Sequence, residues 1–222
     1  MTTYLAIGAH IGDMDLTAGP MLAAAKLQGH RTAILALTPG ERGHPRMPPA
    51  DYKEQKLAEG QAFASHIGAS FHVFDDLSDG YLHPADDVAE RIAALIRELR
   101  PDVVVAHWKH SIHTDHVHAS LLAERGRFLA GLPIEGVSRH GVGKLLYAEN
   151  WEDMEGFRPT ESVPIPDEAF TLWREAIAGQ AFARGETYGF RYIDYYTALM
   201  TMRGCLARVP RACFFAAQGP NW

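Results

Sequence analysis

The chain has 222 residues, 47% of them hydrophobic and 22% charged, with a formal net charge of -6 when its twelve histidines are neutral. That composition suits a globular protein able to bury a full core, read as one domain over residues 1–222. The acidic balance without a Lys/Arg run argues against a nucleic-acid partner, and no stretch approaches the roughly 20 apolar residues of a membrane span. The first residues lack the basic and apolar segments of a signal peptide, so a cytoplasmic location is expected, with Cys205 and Cys213 as reduced thiols.

In chain order, residues 4–9 form a short apolar run ending in small side chains, which predicts a buried strand. Residues 16–28 carry apolar positions at helical spacing and stop before Gly29, a C-cap residue. Residues 32–37 repeat the strand pattern, 39–49 are a loop rich in Gly, Pro and Arg, and 51–67 read as a helix ended by Gly68. A third strand is predicted over 71–74 and an amphipathic helix over 85–99, stopped by Pro101. The Val-Val-Val-Ala run over 103–106 is continuous, as in strands covered on both faces. This alternation predicts an α/β fold, Rossmann-like and layered, with a mostly parallel central sheet flanked by helices. A helix opens after His113 and a further strand is predicted over 144–149. Residues 151–166 are polar and proline-containing, and 167–178 and 192–205 read as helices.

Five histidines fall between positions 107 and 118, namely His107, His110, His113, His116 and His118. In open α/β sheets ligands bind just beyond the carboxyl ends of the strands, and two His-bearing motifs lie there. The first, Gly8-Ala9-His10-Ile11-Gly12-Asp13-Met14-Asp15, leaves the first strand with an imidazole and a carboxylate three residues apart. The second, His113-Thr114-Asp115-His116, brings another imidazole to the same edge. Two histidines and one carboxylate leave open positions on a metal ion for water and substrate. Such an ion activates water and polarises a carbonyl, so metal-assisted hydrolysis follows as a reaction class.

These motifs resemble those of the LmbE/PIG-L deacetylases, zinc enzymes that remove N-acetyl groups, mainly from glucosamine-containing substrates. The family's Ala-His-Pro-Asp-Asp motif matches Ala9-His10-Ile11-Gly12-Asp13, and its His-Pro-Asp-His motif matches His113-Thr114-Asp115-His116. Thr38-Pro39-Gly40-Glu41-Arg42-Gly43 resembles the family's Thr-x-Gly-Glu-x-Gly loop, and Tyr196 to Gly204 its C-terminal helix. The resemblance implies one Zn2+ or other divalent ion per chain on His10, Asp13 and His116. It makes His113 the histidine that polarises the carbonyl and Asp115 the carboxylate that orients a histidine.

One departure from the motif bears on the chemistry: the family's first aspartate, its general base, falls at Gly12. Three readings remain open. Another carboxylate, from Asp15, Glu41 or Asp115, takes the proton; or the ion activates water without a dedicated base; or amide hydrolysis is lost. Candidate substrate contacts are Glu41, Arg42, Lys56 and His110, with a solvated surface loop as the bland reading for the first three and an exposed or hydrogen-bonded ring for His110. The expected function is removal of an N-acetyl group from an N-acetylglucosamine-type amino-sugar or conjugate. The alternative is a metal- or sugar-binding pseudoenzyme that has lost its base. The partner is then a small molecule, with no nucleic acid and no membrane, and self-assembly is left open.

Overall fold

In the first strand, β1 (Thr3–His10), side chains alternate between two cores, Leu5, Ile7 and Ala9 entering one and Ala6 the other. A strand buried on both faces needs a helical layer on each side, and the computed structural model, which describes residues 1–219, has that arrangement. Helices α1 (Asp13–Thr17), α2 (Gly19–Leu27) and α3 (Pro49–Ile67) follow β1 and β2 (Arg31–Thr38). Then come β3 (Ser70–Val73), α4 (Asp86–Leu99), β4 (Val103–His107), α5 (Thr114–Gly131) and β5 (Lys144–Ala148). The chain closes with β6 (Glu161–Pro164), α6 (Asp167–Ile177), α7 (Tyr192–Ala207) and β7 (Ala212–Ala217).

The strands form one seven-stranded sheet in the order β3-β2-β1-β4-β5-β7-β6. The first five run parallel, while β7 pairs antiparallel with both β5 and β6. The core on one face gathers Met14, Leu22, Phe63 and Trp173 from α1, α2, α3 and α6. The other face is closed by Ile92 and Ile96 of α4 and Leu122 of α5.

The single helix expected over 16–28 is two helices that meet at Ala18, with Pro20 at the start of the second. Proline suits a first helical turn, where its missing N–H costs nothing. Both antiparallel strands at the far edge escaped the sequence reading. Glu161–Pro164 is short and half-exposed and contains a proline, the composition of an edge strand. Among the described residues no helix is long and apolar enough to cross a membrane.

On β7, Cys213 is buried, and burial pushes its thiol up to about 12, whereas Cys205 on α7 is exposed. Only the thiolate attacks a disulfide reagent. The native protein at neutral pH is therefore expected to release one equivalent from a chromogenic disulfide reagent quickly, and a second only on unfolding. A fast second equivalent in native buffer would contradict the packing around β7.

Candidate metal centre and its cavity

Outward from the middle of the sheet, β1 is flanked by β2 on one side and β4 on the other, so the chain departs in opposite directions from the β1/β4 pair. A crevice opens at such a switch point beyond the carboxyl ends of the strands. His10 ends β1 and His107 ends β4, so both reach it. Between His10 and α1 the chain turns at Gly12, with φ 111°. That conformation favours glycine, and it starts α1 at Asp13. Asp13 Oδ2 folds back to accept the His10 backbone N–H at 2.7 Å. The loop after β2 approaches His10 through Gly40, where φ is 78° and an added Cβ would lie 3.2 Å from His10 Cβ.

His113 caps α5, its Nδ1 accepting the Asp115 N–H at 3.2 Å, and places His116 in the first turn. Asp13 Oδ2 then lies 3.3 Å from His10 Nδ1 and 3.6 Å from His116 Nε2, and one donor atom from each residue falls within 4.8 Å of the others. The outer nitrogen of each ring is engaged by a carboxylate. His10 Nε2 is 3.0 Å from Asp79 Oδ1 and 3.3 Å from Asp115 Oδ2, while His116 Nδ1 is 3.0 Å from Asp153 Oδ1. An outer nitrogen that donates to a carboxylate leaves the inner one with its lone pair. Two such lone pairs then face a carboxylate oxygen, an arrangement that repels itself unless a cation sits among the three atoms. The donor set therefore fits a divalent ion, with two imidazoles, one carboxylate and open positions.

The electrostatics agree. Burial disfavours charge on His10, yet Asp13, Asp115 and Asp79 outweigh it and hold its pKa well above the usual imidazole range. Burial would raise Asp13, but His116, His10 and His107 hold it well below the usual carboxylate range. Positive charge is favoured at this spot, whether carried by a proton or a metal. Burial and the neighbouring His10 and His116 depress His113, leaving a neutral ring. With Nδ1 accepting, that ring carries its proton on Nε2 as a donor.

The centre forms part of the wall of a cavity of about 460 Å³. Tyr52, Tyr188 and Tyr192 supply an aromatic side, and two carboxylates line it besides Asp13, those of Asp79 and Glu152. Lys56 on α3 also lines it, although the residue is only 3% exposed. Its ammonium has no hydrogen-bond or ion-pair partner among the described residues and rests 3.9 Å from the Phe182 ring centroid. A Cβ added at Gly12 would lie 2.4 Å from Phe182 Cζ and 3.2 Å from Lys56 Nζ. The space beside Gly12 is thus taken by an aromatic ring and a cation.

Of the residues anticipated from the sequence, the cavity gathers His10, Asp13, Lys56, His113 and His116. Asp115 lies just outside it, buried, accepting the Gly80 N–H at 2.7 Å and facing His10, which is an orienting position. Four expectations need correction. Asp15 is buried away from the cavity, with Oδ2 accepting from Gln180 Nε2 at 2.6 Å, and burial pushes its carboxyl up to about 7. Glu41 faces the neighbouring loop instead, accepting from Ser78 Oγ at 2.7 Å and from the Asp79 N–H. That bracing fixes Asp79, so Glu41 acts on the cavity only through it. Arg42 is exposed over Tyr81, and His110 is exposed beside Trp108, neither lining the cavity. Asp79, Glu152 and Asp153 were not anticipated, because loop carboxylates carry no periodic signal. His107 had one: it ends β4 as His10 ends β1.

A family model described as PIG-L, GlcNAc-PI de-N-acetylase, matches residues 5–125. A 4-oxalmesaconate hydratase of Pseudomonas putida KT2440 is 27% identical over 215 residues, 92% of this chain and 80% of the relative. The crystal structure of a 4-carboxy-2-hydroxymuconate hydratase from the same strain superposes with a TM-score of 0.90, at 24% identity, covering 100% of this chain and 98% of that one. The N,N'-diacetylchitobiose deacetylase of Pyrococcus horikoshii superposes with a TM-score of 0.80 at 16% identity, covering 98% and 84%.

Proposed function

Because the chain belongs to the PIG-L family, we propose that it is a metal-dependent hydro-lyase, adding water across the carbon–carbon double bond of a small unsaturated polycarboxylate. One observation carries this reading: beside Gly12, where the family's deacetylase motif has a carboxylate, there stands the buried ammonium of Lys56, with no hydrogen-bond or ion-pair partner among the described residues. An amidase needs a group there to take the proton of water. A cation at that place binds an anion instead, and a charge buried without a protein partner costs free energy that a substrate carboxylate offsets. The similarity to a protein named as a 4-oxalmesaconate hydratase supports the same choice.

His10, Asp13 and His116 would hold the ion, with zinc the best match to this donor set. When bound, it supplies Lewis acidity toward water and toward a substrate oxygen. The chain's own groups do the rest. Lys56 anchors one substrate carboxylate, and His113 Nε2–H donates to a substrate oxygen on which charge accumulates. The cavity-facing carboxylates of Asp79 and Glu152 move protons, from the attacking water and to the alkene carbon that does not receive oxygen. One water is consumed and no oxidant is needed.

A second reading, removal of an N-acetyl group from an N-acetylglucosamine-type amino-sugar, is favoured by the tyrosine wall, since ring faces and hydroxyls suit a sugar. The two separate in a paired assay. Loss of the conjugated ultraviolet absorbance of unsaturated di- and tricarboxylates, without amine release from N-acetylglucosamine, is the expected result. Amine release alone would replace the first reading with the second, and neither activity would point to the pseudoenzyme.

A further inference from the structure

The deepest carboxylate of the site is that of Asp153, in the turn after β5, whose side chain is fully buried. It spans two rings: Oδ1 lies 3.0 Å from His116 Nδ1 and Oδ2 lies 3.0 Å from His107 Nδ1. The two imidazoles stack, with centroids 3.9 Å apart and planes inclined by 24°. At its other nitrogen His107 turns toward the cavity, Nε2 accepting the Ala9 N–H at 3.1 Å and lying 3.1 Å from Asp13 Oδ2. The turn that carries Asp153 is itself fixed, its N–H donating to Asn150 O at 3.0 Å.

We infer that Asp153 is a positioning residue: its single carboxylate clamps His116 directly and holds the His107 ring stacked against it, and so sets how tightly the centre holds its ion. This rests on His10, Asp13 and His116 being the metal ligands. The chemistry follows from where protons sit. A buried carboxylate only accepts, so each ring facing it must present an N–H. His116 is thereby fixed as the Nδ1–H tautomer, with the Nε2 lone pair facing Asp13. Without that clamp the ring can place its proton on Nε2 and turn a donor toward the ion. Removing a carboxylate that orients a metal-bound histidine costs about 10–100-fold in metal affinity. A consequence for the fold is that two neighbours in sequence divide the labour. Asp153 faces His116 Nδ1 at 3.0 Å, while Glu152 lines the cavity and approaches that nitrogen only to 3.6 Å, so one short turn after β5 ties the ion's binding to the substrate wall.

The test is Asp153→Asn in the full chain, with His107→Gln beside it. In Asp153→Asn, His107, whose Nε2 accepts the Ala9 N–H and whose proton therefore sits on Nδ1, takes the amide oxygen, and the amide N–H faces His116 and drives its proton to Nε2. Zinc affinity, measured by competition with a chromophoric chelator, is expected to fall about 10–100-fold. It should fall less in His107→Gln, which leaves the Asp153–His116 contact in place. Imidazole 15N shifts of the metal-free proteins should report Nδ1–H for His116 in the wild type and Nε2–H in Asp153→Asn. A purely structural role for Asp153 would lower the melting temperature without moving the tautomer. Affinity within twofold of wild type, or an unchanged tautomer, would overturn the clamp. If Asp153→Asn does not fold, an Nε2–H tautomer for His116 in the wild type does so. If the wild type binds no zinc, the ligand assignment fails and the tautomer alone decides.

Discussion

Replacing Lys56 with methionine is expected to slow turnover of an unsaturated polycarboxylate about 10–100-fold, chiefly through a higher KM. A hydrogen bond to a charged group contributes about 1.5–3 kcal/mol, and each 1.4 kcal/mol corresponds to about tenfold. Methionine matches the length of the lysine stem and keeps its contact with Phe182, so the cavity should retain its shape. No protein partner is left unpaired by the change, because the ammonium has none among the described residues. Burial already draws the Lys56 pKa below its ordinary value, a sign that the charged form is stabilised less than in water. The variant should therefore melt at the same temperature as the wild type or higher. A loss of activity accompanied by a lower melting temperature would make Lys56 a packing residue, and an unchanged KM would remove it from the substrate.

Gly12→Asp, which restores the deacetylase motif, should be strongly destabilising and should not create an amidase. The backbone there has φ 111°, in a region that L side chains rarely adopt. Strain of that kind costs about 1–3 kcal/mol. The new Cβ would also lie 2.4 Å from Phe182 Cζ, and the ring is packed at only 8% exposure. Overpacking adds about 1–3 kcal/mol. In a chain of this size, a loss above about 2 kcal/mol lowers the melting temperature by at least 4–8 °C. Gly12→Asp should cost less when introduced into Phe182→Ala than into the wild type, because the truncation opens the space while leaving the backbone strain. Calorimetry on the two single variants and their combination checks this, and a Gly12→Asp protein as stable as the wild type would show that the ring moves freely.

The parallel half of the sheet was legible because strands buried on both faces are written as unbroken apolar runs, as over 103–106. The edge strand β6 was not, since Glu161–Pro164 is half-exposed and has neither a continuous run nor an apolar alternation. Two patterns at strand ends, His10 with Asp13 and His113 with His116, carried the candidate ligands. What surrounds them lies on loops 37 to 46 residues away in sequence, such as Ser78 and Asp79 on Glu41 and Asp153 on His116 and His107. Tertiary folding alone creates that proximity. Asp15 illustrates the reverse case. Two residues beyond Asp13 on a helix, it points to a different side of the turn, and there it meets Gln180.

The most direct test of the central claim is to measure the metal content of the purified protein together with hydration of an unsaturated tricarboxylate, before and after chelation and after zinc is restored. One ion per chain, activity lost with the ion and regained with zinc, is the expected result. Hydration that survives complete removal of metal, or a fully loaded protein that hydrates no such acid and releases acetate from an amino-sugar, would contradict it.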